Sequence, residues 1–184
     1  MSGNTNQEDR RIRRTRDALG DALLSLLAEK PFDAIKVEDV LLRAGVARST
    51  FYAHYTGKDD LLLSDADAFF EGMASWLERA SEGAGRVAPV REFLAHVAEA
   101  RPLADALLAS RHAPELLAIG REHFARAIAR RLAGRGVGDE AALGQALAGA
   151  LFALLVAWLD KGMRSSPEEI DTLFHRLVPS RGPT

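Results

Sequence analysis

"VEDVLLRAGVARSTFYAHYTGKDDLL", residues 37–62, sets a glycine-centred corner, an Arg with two hydroxyls and three aromatic rings within five residues directly before a Lys and two Asp. A plain helical core does not need that mixture, because so short a segment cannot bury all of those rings and polar groups. The spacing predicts two short helices. In the first, over 37–44, Val37, Val40 and Leu41 share a face, and Gly45 ends it as a residue that tolerates the left-handed cap conformation. The second, over 48–55, follows after a few residues and makes a helix-turn-helix. Its inward face carries Val46, Phe51 and Tyr55, the last two one turn apart. Its outward face carries Arg48, Ser49, Tyr52 and Ala53, with Thr50 and His54 flanking. A guanidinium suits a guanine edge or a phosphate, a phenol donates to phosphate, and a methyl accommodates thymine. Lys58 stands where the next helix begins, and its ammonium and the nearby backbone N–H groups suit a further phosphate.

Upstream, Ile12, Leu19, Leu23, Leu26 and Leu27 recur at helical spacing and predict a helix over 9–29, ended by Pro31. Arg10, Arg11, Arg13, Arg14 and Arg16 fall within seven positions. They read equally as a cationic arm for phosphates or as a solvated helix start. Before them the chain is polar, with no apolar signal segment, and reads as a disordered tail. Net charge is −2 and the chain has no Cys. That excludes disulfides, a Cys nucleophile and Cys-ligated zinc, and it fits a reducing cytoplasm. Ala and Leu dominate while β-branched residues are sparse, so the 184-residue chain is expected to be all-α.

At this point residues 37–62 resemble the DNA-binding signature of the TetR family of bacterial transcription regulators. The shared pattern runs from the Ala-Gly-Val corner through Tyr-x-His-Tyr to the Lys before the fourth helix, and the likeness extends over 10–63. It implies an N-terminal three-helix DNA-binding domain over 1–63 and a helical ligand-binding and dimerisation domain over 64–184. It places DNA contacts on Arg48, Ser49, Thr50, Tyr52, His54 and Lys58, with Phe51 and Tyr55 in the core. Two positions depart from it. Ala47 replaces a Ser or Thr cap, a loss of about 1 kcal/mol. Lys36 stands where a Thr is common, exchanging a hydroxyl for a longer-range cation.

Beyond 63, a fourth helix is expected to begin at "TGKDD", with Thr56 and Asp59 as a weak capping box, and to run to 79. Further helices are predicted over 90–100, 103–110, 114–132, 140–162 and 167–177. From Ala141 to Leu159 every residue but Gln145 is apolar or Gly. Two readings stand, a bilayer span or a helix buried in protein. The Ala and Gly content and the lack of a basic flank favour the buried one, and no membrane partner is expected. Gly144, Ala148, Gly149 and Ala153 would admit a close neighbour. Ile170, Leu173, Phe174 and Leu177 would add a second stripe, for a four-helix interface in a homodimer. Phe69, Phe70, Met73, Trp76, Phe93, His96, Phe124 and Phe152 are candidates to line an effector pocket, although for any single one of them a place in the core is favoured. His96 and His123 lack metal-ligand spacing, so neither a metal nor a cofactor is expected.

The function expected is a homodimeric repressor, released from a palindromic double-stranded operator by a small molecule. A regulator of the same fold acting through a protein partner, or without ligand control, is the alternative. An enzyme is disfavoured, since "GAGRVAP" and "GRGVGD" are not framed as phosphate loops and no nucleophile–base pair appears.

Overall fold

The computed structural model describes residues 3–80, 86–133 and 135–178, and among these all regular structure is helical. α1 (Gly3–Leu27) precedes a 3-10 turn (Phe32–Ala34), then α2 (Val37–Ala44), α3 (Arg48–Tyr52) and α4 (Lys58–Ala80). α5 (Val90–Glu99), α6 (Arg101–Leu108), α7 (Ala113–Leu132), α8 (Glu140–Asp160) and α9 (Pro167–His175) follow. α1 begins at Gly3, earlier than the position 9 expected, so residues 3–8 continue the helix where a disordered tail was expected. No Pro or β-branched run interrupts them except Thr5.

Leu19, Leu23, Leu26, Leu27, Phe32, Ile35, Val40, Phe51 and Tyr55 are buried together as the N-terminal core. Gly45 closes α2 in the left-handed region, φ 65° and ψ 31°, and donates its N–H to Leu41 O. Val46 N–H reaches the same carbonyl at 3.2 Å, so the corner satisfies these N–H groups on the last turn of α2. Two ion pairs tie α2 to the preceding segment. Arg43 grips Glu29 at 2.9 and 3.0 Å, and Lys30 meets Asp39 at 2.6 Å.

The second core gathers α4, α5, α7, α8 and α9 around Phe93, Phe124, Leu151, Phe152 and Phe174. α7 and α8 approach closely because Gly144 has no side chain, since a Cβ there would lie 2.5 Å from Ala125 O. This assigns Gly144 to an intrachain contact. Ala148 is likewise buried within the chain, whereas Ala153 is exposed and Gly149 has open space beside it. α8 is long and apolar enough to cross a membrane by length and composition. Its Leu147, Leu151, Leu155, Trp158 and Leu159 are nevertheless committed to this core.

The boundary expected at 63/64 falls inside α4, which runs unbroken from one core to the other. Leu116 from α7 is buried in the N-terminal core, with Leu103 and Leu107 of α6 packed against it. α6 and the start of α7 therefore join the two halves.

Candidate nucleic-acid interface

α3 is held by what lies beneath it. Phe51 is fully buried and Tyr55 nearly so, their centroids 5.6 Å apart. Arg16 of α1 donates from Nε to Tyr55 Oη at 3.1 Å and from Nη2 to Ser64 Oγ at 2.9 Å. Arg16 thus braces α1 against α3 and α4, and does not stand free with the other arginines of its cluster. The α-helix ends at Tyr52, short of the 55 expected, though Tyr55 N–H still bonds Phe51 O at 2.9 Å. Ala47 contributes no side-chain cap.

Facing away from this anchor, Lys36, Arg48, Ser49 and Tyr52 are exposed, while Thr50 and His54 are half-buried at the margin. Tyr52 keeps 47% of its surface accessible while its ring meets Phe51 edge-on at 5.2 Å. The packing fixes the ring and leaves the phenol outward. Arg48 lies over the Tyr52 ring, 5.5 Å from its centroid, and donates to Glu38 of α2 at 3.0 Å. Glu38 is a member of this face that reasoning from sequence missed. Its helical position on the solvent side of α2 was the only available signal.

Lys58 is placed differently from the phosphate contact expected. Its Nζ donates to the carbonyls of Phe32 and Ile35, both at 2.7 Å, and rests 4.4 Å from the Phe32 ring centroid. The ammonium binds the 3-10 turn to the start of α4. The capping pair also differs. Asp60, not Asp59, accepts from the Thr56 backbone N–H at 2.8 Å and from its hydroxyl at 3.1 Å.

Asp59 instead receives Arg111 and His112, each at 2.6 Å, from the corner between α6 and α7. Burial pushes its carboxyl up, but the bonds to Arg111 and His112 prevail and hold it below the ordinary range. His112 is raised above its ordinary value, chiefly by Glu115 on its other ring nitrogen at 2.8 Å.

The aromatic candidates fall into two groups. Phe70, Phe93, Phe124 and Phe152 pack ring against ring with centroids 5.0 to 6.5 Å apart, a filled core over Gly120. Phe69 is 41% exposed and stacks on His96 at 5.6 Å, with Met73 half-buried and Trp76 exposed farther along α4. His123 bonds Asp67 of α4 at 2.8 Å.

A short helix seated on buried aromatics, with a cationic, hydroxylic outer face and a glycine corner behind it, defines a helix-turn-helix DNA-binding protein. Residues 19–64 match the family model described as bacterial regulatory proteins, tetR family. The HTH-type transcriptional regulator YxbF of Bacillus subtilis is 46% identical over 57 residues, 30% of this chain and 15% of that protein. The fatty acid metabolism regulator protein of the same organism is 34% identical over 77 residues, 42% of this chain and 38% of that protein. The chain thus spans well under half of the length of these relatives. Across nearly its whole length it matches the crystal structure of a TetR transcriptional regulator from Streptococcus agalactiae. The TM-score is 0.67 and the identity 27%, covering 95% of this chain and 99% of that one. A TetR-family structure from Syntrophomonas wolfei has the same fold, with a TM-score of 0.66, 15% identity and coverage of 88% and 91%. Residues 19–64 thus match the TetR-family DNA-binding region, and the fold over nearly the whole chain is similar to that of TetR-family transcription regulators.

Proposed function

We propose that the chain binds a palindromic operator as a homodimer in the cytoplasm, represses from it, and is released by a small-molecule effector. The outward face of α3 carries this reading. Arg48, Ser49 and Tyr52 project from a helix that Phe51 and Tyr55 lock in place. Lys36 and the flanking Thr50 and His54 extend the contact surface. Lys58 serves it by fixing the start of α4, where its backbone N–H sits at the positive end of the helix dipole.

The dimer reading rests on the outer faces of α8 and α9. Leu173 and Leu177 are 43% and 52% exposed beside α8, whose outward Ala146, Ala153 and Ala157 leave an apolar stripe. Ile170 and Phe174 face their own core, so the interface would use the alternate positions. Twofold symmetry then sets two copies of α3 about one helical turn, or a multiple of it, apart on the duplex.

The effector reading rests on the continuity between the halves. Phe69, Met73, Trp76 and His96 offer an accessible aromatic wall on α4 and α5, with the Phe70, Phe93, Phe124 and Phe152 core behind it. A ligand that wedges there would tilt α4 and, through Asp59 and His112, shift the N-terminal domain. A differential affinity of about 1 to 3 kcal/mol between the two arrangements suffices for induction.

The test is fluorescence anisotropy with the DNA upstream of the chain's own gene, at two salt concentrations, beside Tyr52→Ala. Tight, salt-sensitive binding that the variant loses is expected. Binding no tighter than to unrelated DNA would overturn the reading for that operator.

A further inference from the structure

A carboxylate on a surface that meets phosphates weakens binding to every DNA sequence, because like charges repel. Glu38 is such a group. It sits in the first turn of α2, and its side chain and that of Arg48 are 60% and 64% exposed, so their ion pair adds little to folding. Its charge suits the positive end of the α2 dipole, and any gain beyond that lies in discrimination between sequences.

The geometry shows what that gain is. Glu38 Oε1 takes the Arg48 Nη1 donor at 3.0 Å, and the Arg48 guanidinium carbon lies 5.5 Å from the Tyr52 ring centroid. Among the described residues, Nε–H and Nη2–H of Arg48 have no acceptor. Those two parallel donors form the edge that guanine O6 and N7 accept in the major groove. A guanidinium held on one edge also loses less rotamer freedom when it engages a base.

We propose that Glu38 is a specificity-determining positioning residue, which occupies one edge of Arg48 so that the other reads guanine instead of clasping a phosphate. The inference rests on α3 being the DNA-reading helix.

The test selects duplexes from a pool with a randomised core, using wild type, Glu38→Ala, Glu38→Gln, Arg48→Ala and the double variant Glu38→Ala/Arg48→Ala. The selected duplex, its single-base variants and a scrambled duplex are then titrated by fluorescence anisotropy across a salt series. Wild type should prefer guanine at one position per half-site. Glu38→Ala should lose roughly tenfold of that preference. It should also bind the scrambled duplex more tightly, with a salt slope steeper by about 0.9 per half-site as Arg48 turns to phosphate. Glu38→Gln keeps an acceptor for Nη1 and should retain most of the guanine preference. Arg48→Ala should affect the same base pair, and the double variant should discriminate no worse than Arg48→Ala.

A Glu38→Ala protein with undiminished guanine preference would overturn the proposal. So would a lost preference at a different base pair from the one Arg48→Ala affects, which would make Glu38 a direct reader of a base. If wild type selects no sequence at all, the reading of α3 fails first and this inference falls with it.

Discussion

His112 Nε2 lies 2.6 Å from Asp59 Oδ1, joining the corner between α6 and α7 to the first turn of α4. The same carboxylate oxygen takes Arg111 Nη2 at 2.6 Å, and Glu115 holds the other ring nitrogen of His112. With carboxylates on both nitrogens, the imidazole is most stable as the cation, the only form that donates from both. The cluster lies where the C-terminal half meets the helix that begins beside α3.

Its pH response has a definite sign. Because Glu115 and Asp59 raise His112, the stabilisation is complete below the unfolded histidine value of about 6.5 and is lost as pH rises through the higher folded value. Asp59, shifted the opposite way, loses its share only in acid, below the ordinary carboxylate range. Urea unfolding from pH 6 to 8.5 should show wild type weakening relative to His112→Ala. The variant should start about 1 kcal/mol less stable at pH 6. Parallel curves would show that the ring titrates alike in the folded and unfolded protein.

Lys58→Met should destabilise by about 1 to 3 kcal/mol, since the Phe32 and Ile35 carbonyls lose their shared donor. Denaturant midpoints check this. Anisotropy on folded protein then separates the structural effect from any loss of phosphate contact.

Asp65 faces Gly20 of α1 so closely that a Cβ there would overlap its carboxylate, and its Oδ2 is buried without a hydrogen-bond partner among the described residues. Burial pushes this carboxyl up to about 6; Arg16 opposes the shift, while Asp17 and Asp21 add to it. A raised carboxyl contributes fully below its unfolded value, and that contribution disappears as pH rises through about 6. Asp65→Asn should therefore flatten the stability profile between pH 4 and 7.5. At the upper end it should gain on the order of 1 kcal/mol, a figure reduced for partial solvent screening. A profile unchanged by the substitution would show that Asp65 ionises normally.

Gly144→Ala should cost about 1 to 3 kcal/mol despite alanine's better helix propensity, because the added Cβ meets the Ala125 carbonyl, which is backbone and cannot rotate away. Gly149→Ala, with nothing within 4 Å in the monomer, should stabilise by up to about 1 kcal/mol. Thermal unfolding of both, across a range of protein concentrations, checks the pair. A concentration-dependent loss in Gly149→Ala would place a neighbouring chain at that position.

The amino-acid sequence alone determined the features whose partners lie within a few residues. Helical period marked Leu19, Leu23, Val40, Phe51 and Tyr55 as core, Gly45 marked the corner, and the remaining phase of α3 left Arg48, Ser49 and Tyr52 outside. These follow from bonds and contacts between residues three to five apart, which spacing reveals directly. Only the docking of helices decided the rest. Lys58 reaches carbonyls 23 and 26 positions back, Asp59 meets His112 53 positions on, and Leu116 enters the opposite core. Gly144 faces α7 within its own chain, and Ile170 and Phe174 turn inward while Leu173 and Leu177 stay out. An apolar stripe specifies that a helix face will be covered, but its physics is non-directional. Which surface covers it, and which charge a long side chain finds, depends on packing angles that no local spacing encodes.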